Sequence, residues 1–122
     1  MKKSIFDKEF IDGLNKNTRG YYCGAFLNAP VYSEKMEIAF MNYDELKNHI
    51  GSKHHHQIVD EFCLVVEGYM EQVVDDVLFK LKKGDFIFIK AKSVSKVTVV
   101  GDGTILMVVK GPSIPCDKII DK

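Results

Sequence analysis

The chain has 122 residues with 17 basic and 17 acidic side chains, 46% of it apolar and 28% charged. That is enough for one domain with a true core, and the even charge argues against nucleic acid or an anionic membrane as partner, since both draw on a basic surplus. A chain near neutrality also repels itself little, so self-association is not disfavoured. No stretch approaches the length of a membrane span. The opening MKKSIFDKEF meets Asp7 before any apolar run develops, so no signal peptide is expected. Three widely spaced cysteines, Cys23, Cys63 and Cys116, form neither a disulfide framework nor a zinc knuckle. A reduced, cytoplasmic protein is the expectation.

In chain order, SIFDKEFIDGLNKNT sets Ile5, Phe6, Phe10, Ile11 and Leu14 at helical spacing, with Gly13 and the Asn15–Asn17 stretch as breakers. This predicts a short amphipathic helix laid over the rest. From Tyr21 the period becomes two. GYYCGAFL reads as a weak strand, Pro30 marks a break, and KMEIAFMNY alternates Met36, Ile38 and Phe40 against Glu37, Ala39 and Met41. DELKNHIGS leads into three adjacent histidines. Strands follow at EFCLVVEG, YMEQVV, VLFKL, DFIFIKA, SKVTVV and TILMVVK, with a tight hairpin at Asp75–Asp76 and turns at KKGD and GDG. Gly68 and Gly84 are expected at turns that need positive φ or close approach. The tail GPSIPCDKIIDK, with two prolines, is expected to cross the surface. Short strands at roughly ten-residue spacing are the pattern of an all-β sandwich or barrel. The expected layout is one domain over 1–122, with an N-terminal helical extension (1–20), a barrel core (35–110) and a tail (111–122).

The chemistry concentrates at HHHQIVDEF. Side chains alternate across a strand, so His54 and His56 share one face and His55 points the other way. Glu61 joins them only if a turn at Gln57–Asp60 resets the direction, which would also bring Cys63 and Val65 inward. Two imidazoles and a carboxylate make the ligand face used around non-haem iron, and the same set suits Mn, Ni, Co or Zn. The plainer reading is a pair of polar barrel-lining histidines. An inward Glu61 needs a cation or donors either way, with the histidines or a metal as the nearest candidates. Cys63 is expected in the core, as are Met36, Phe40, Phe88 and Met107. Lys90, Lys92 and Lys96 form either a solvated loop or a cationic rim that attracts an anionic ligand.

The run from His54 to Gly68 resembles the first cupin motif: His-x-His, four residues, Glu61, six residues, Gly68. The upstream glycine is unmatched, with Asn48 in its place and Gly51 nearer. The second motif opens at Gly84 and Asp85 and then departs, with Lys90, Lys92 and Ser95 where cupins carry Pro, Gly and a last metal-binding His. The resemblance covers roughly 35 to 110. It implies a cupin-type double-stranded β-helix (a jelly-roll barrel), a homodimer, and a metal site on His54, His56 and Glu61 that lacks its usual fourth ligand. Ser95, Cys63 or water is left to fill that position. Three roles follow: a cupin binding a divalent metal and a small metabolite in its barrel; a metal-dependent dioxygenase or isomerase/epimerase; or a metal-free dimeric barrel. The first is the leading expectation.

Overall fold

A computed structural model describes residues 7–14, 20–43 and 51–121. The expected positions Ile5, Phe6, Asn15–Asn17 and Asn48 lie outside them. Helix α1 spans Lys8–Leu14. It starts at Asp7, whose carboxylate accepts from the Phe10 amide at 2.9 Å, the role an N-cap plays. Gly13 sits within the helix rather than ending it.

All other described elements are strands: β1 (Tyr21–Cys23), β2 (Glu37–Asn42), β3 (His54–His56), β4 (Asp60–Glu67), β5 (Tyr69–Val74), β6 (Val77–Lys82), β7 (Phe86–Ile89), β8 (Ser95–Val100), β9 (Ile105–Gly111) and β10 (Lys118–Ile120). They form two five-stranded sheets, ordered β1-β2-β9-β4-β7 and β10-β3-β8-β5-β6, and every strand pairing in them is antiparallel. The fold is all-β, as expected. The β5–β6 hairpin turns at Asp75 and Asp76, with φ of 47° and 67°. Paired positive φ matches the right-handed twist of the flanking strands, and aspartate tolerates that region better than most residues. Gly68 has φ of 91°, and a Cβ there would lie 2.7 Å from the Thr104 Cα. The glycine therefore serves both conformation and close approach.

The core lies between the sheets and is built from Ala39, Cys63, Val65, Met70, Leu81, Leu106 and Val108. Across the first sheet the inward rows are Ala39–Val108–Cys63–Ile87 and, next to it, Glu37–Lys110–Glu61–Ile89. One end of the barrel is thus apolar and the other carries charge.

Two expectations change. The outward rows of the same sheet, Ile38–Val109–Phe62–Phe88 and Phe40–Met107–Leu64–Phe86, are also apolar. Phe40 (38% exposed), Phe88 (54%) and Met36 (41%) are therefore not core. The buried members of β2 are Glu37 and Ala39. The tail also forms a strand: β10 runs antiparallel to β3, with Lys118, Ile119 and Ile120 opposite His56, His55 and His54. Among the described residues no helix is long and apolar enough to cross a membrane.

Candidate functional site at the charged end of the barrel

β3 brings the histidines to the barrel mouth in the expected two-plus-one arrangement. The His54 and His56 rings meet edge to face, centroids 5.3 Å apart. His55 takes the other side, where its Nδ1 donates to the Asp121 carboxylate at 2.8 Å. Residues Gln57–Val59 between β3 and β4 supply the turn that returns Glu61 to the inner face. That turn is fastened by Asp117, whose carboxylate accepts from the amides of Ile58 and Val59, each at 2.9 Å. These backbone bonds outweigh burial and hold the Asp117 carboxyl below its usual range.

His54 donates from Nδ1 to the Ser52 carbonyl at 2.7 Å, which leaves its Nε2 with the lone pair. His56 Nε2 is buried and has no hydrogen-bond partner in the protein. Burial lowers the pKa of both rings, and the Lys110 charge adds to the effect on His56. Cys63 is buried in the core, and its thiol is pushed up to about 12, chiefly by burial. It is a core residue and not a thiolate nucleophile.

The cation facing Glu61 is Lys110 on β9, which no motif marks. Lys110 Nζ lies 3.7 Å from Glu61 Oε1, donates to the Tyr21 hydroxyl at 3.1 Å and stands 5.7 Å from the centre of the Tyr21 ring. Burial pushes its pKa down, but Tyr21 and Glu61 outweigh that and hold the ammonium above its usual range. Glu37, its neighbour on β2, accepts from the Ser113 hydroxyl at 2.8 Å. The alternation Leu106, Val108, Lys110 along TILMVVK was the available signal, because it puts the lysine on the face of two core residues.

A pocket of about 270 Å³ opens here, lined by Tyr21, Phe26, Glu37, His56, Val59, Lys110, Ile114, Pro115 and Lys118. Lys90, Lys92 and Lys96 are exposed and do not line it. A wider, open hollow of about 580 Å³ lies on the His55 side and includes Lys92 and Asp121.

The histidines suit a divalent ion, being neutral with Nε2 available. The carboxylate fits less well. Two donors on one ion stand about 3.0–3.5 Å apart at ordinary bond lengths, whereas His56 Nε2 and Glu61 Oε1 are 4.0 Å apart. The same Glu61 oxygen faces Lys110. Among the described residues no group of three or more His, Cys, Asp or Glu side chains is placed to hold an ion. Ser95 lies directly across from His54 in the β3–β8 register, with only a neutral hydroxyl to offer.

The family model of the cupin domain matches residues 44–110, more than half of the chain. The chain is a cupin. No curated protein matches it. Streptomyces PAC13, solved with uridine, aligns with all of this cupin and 93% of its own chain at a TM-score of 0.71 and 11% identity. A Klebsiella pneumoniae protein with a double-stranded β-helix domain aligns over 99% of both chains at a TM-score of 0.61 and 16% identity. KdgF from Halomonas sp. aligns over 69% of this cupin and 74% of its own chain, with a TM-score of 0.58 and 14% identity. At these identities the likeness establishes the double-stranded β-helix fold and no more.

Proposed function

We propose that this cupin binds a small hydroxylated metabolite of little net charge in the pocket at the charged end of its barrel. The observation that carries the reading is the mixed polar lining around a buried, unpartnered His56 Nε2. Such an atom costs free energy until it gains a hydrogen-bond partner, and a ligand hydroxyl, which can donate or accept, would supply one. Tyr21 and Phe26 meet edge to face beside it, centroids 5.0 Å apart, and offer apolar surface to a ring. The lining holds Lys110, Lys118 and Glu37, and Glu61, outside the lining, stands 3.7 Å from Lys110, so two carboxylates offset the two ammonium groups around the pocket. That favours a neutral ligand over the anionic one the exposed lysines had suggested. A nucleoside is a molecule of this kind, and the presence of uridine in PAC13 supports the choice.

Calorimetric titration should show uridine, other nucleosides or simple pyranoses binding, weakened about tenfold or more by Glu37→Gln. Binding of phosphate esters or carboxylates in preference to every neutral compound would overturn the reading, as would no binding by any of them.

A second reading keeps Fe, Mn, Ni, Co or Zn on His54, His56 and Glu61. It is favoured by the free Nε2 of each imidazole, and it requires Glu61 to exchange Lys110 for the ion. Such an ion would supply Lewis acidity, the basis of a dioxygenase or isomerase role.

Two copies pairing through the outer face of the first sheet complete the proposal, with the reduced cytoplasm as its setting. The face presents Phe40, Phe86 and Phe88 to solvent, and contiguous exposed apolar surface marks an interaction site. Light scattering on a sizing column should give a dimer for the native chain and a monomer for Phe88→Glu. A monomeric native chain would remove this part of the proposal.

A further inference from the structure

We infer that Lys110 is the resident cation of this site in place of a divalent metal, so that the pocket recognises its ligand with a fixed ammonium and needs no ion. The inference deepens the small-molecule reading above and rests on it for the ligand, though not for the cation.

Register dictates the placement. Lys110 on β9 stands between Glu37 on β2 and Glu61 on β4 in one inward row. An inward lysine at that position has a carboxylate beside it on either strand. The Tyr21 hydroxyl then takes one of its donors at 3.1 Å and Glu61 Oε1 lies at 3.7 Å. The side chain is only 16% exposed, so it has little water to retreat into. A dication on Glu61 would have to expel this ammonium or sit beside it, and like charges at that range repel strongly where water is scarce.

A second, independent position points the same way. Ser95 faces His54 across β3–β8 and is buried, so the place from which a fourth donor would come holds a neutral hydroxyl. The histidines remain, His54 with its Nε2 lone pair and His56 with an Nε2 that has no partner in the protein. In this setting they accept hydrogen bonds from the ligand while Lys110 polarises a ligand oxygen, the office a metal would otherwise fill.

The test titrates metal-stripped protein with Co²⁺, read by its visible d–d bands, in the native chain, in Lys110→Met and in Lys110→Met with His56→Ala. The native chain should bind Co²⁺ at least about tenfold more weakly than Lys110→Met, and the added His56→Ala should abolish the gain. Equal affinity in native and Lys110→Met protein would overturn the inference, and so would no binding by either. If Lys110→Met does not fold, Lys110→Arg decides. It keeps the charge and should exclude Co²⁺ as the native chain does, and tight uptake by it or by the native chain would count against the inference. A parallel titration with uridine in EDTA separates the two claims. Undiminished binding supports both, whereas binding only after Co²⁺ is restored overturns the inference and leaves the ligand reading intact. Failure of uridine to bind at all counts against the ligand reading, and the Co²⁺ arm still decides the cation.

Discussion

Lys110→Met is expected to destabilise the fold by about 3 kcal/mol, the lower end of the cost of stripping one partner from a buried ion pair. The lower end applies because Glu61 keeps some contact with solvent, at 14% exposure. The loss is mostly that of a carboxylate left inside the barrel without a cation. Adding Glu61→Gln should therefore return much of it, since the double variant has no buried charge to strand at that point. Urea unfolding of the native chain, both single variants and the double variant closes the cycle. A coupling of about 1 kcal/mol or more is expected for groups in contact. Strict additivity would mean that the ammonium and carboxylate do not sense each other, and Lys110 would then be a packing residue.

Asp117→Ala is expected to cost about as much, roughly 3 kcal/mol, and to loosen the site at a distance. The residue is 5% exposed, and its carboxylate takes the amides of Ile58 and Val59. Each donor left without a partner costs about 1–3 kcal/mol. Those amides belong to the turn that lets His56 and Glu61 face the same way, so Asp117 is a positioning residue. A merely structural loss would lower the unfolding midpoint alone. A positioning role also moves the His56 ring resonances and weakens ligand binding, and Asp117→Asn, which keeps one acceptor oxygen, should restore part of both. The linkage to pH has a definite sign. With its pKa below the unfolded value, Asp117 contributes stability above the ordinary carboxyl range, and that contribution is lost as pH falls through its folded value. The stability gap between the native chain and Asp117→Ala should be widest near neutral pH and close in acid, so it is the pH slopes of the two that differ through that interval.

Much of the architecture was readable from short-range pattern. The Asp75–Asp76 hairpin, the strand boundaries, the shared face of His54 and His56 and the burial of Cys63 all follow from period-two alternation and turn chemistry. What pattern could not give was facing and partnership. FIFI in β7 and ILMVV in β9 are apolar on both sides, so alternation cannot say which row is inside, and Phe88 falls outside; in β2 the inward row is Glu37 and Ala39, which turns Phe40 out against the expectation from its apolar row. Lys110 lies 49 residues from Glu61 and meets it only through the β4–β9 register. Asp117 reaches its turn across 58 residues, and β10 finds β3 across a similar span. No local window contains both halves of any of these contacts. The cupin spacing supplied the two histidines and the glutamate, and was silent on the lysine that answers them.

The histidine strand is fastened unevenly. β3 is matched residue for residue with β10 but meets β8 at the single pair His54–Ser95. The wall of the pocket therefore hangs largely from the segment that carries β10 and Asp121, and His55 clips that segment from outside. Peeling β10 away would leave β3 held only by the His54–Ser95 pair and by the Lys92 amide on the His56 carbonyl at 2.6 Å, while the Ala39–Val108–Cys63 layer stayed packed, so the mouth can open at a free-energy cost well below that of global unfolding. Amide exchange should register this as a fast pair of neighbouring strands on an otherwise slow barrel. Access to the pocket would then be paced by the loosening of β10.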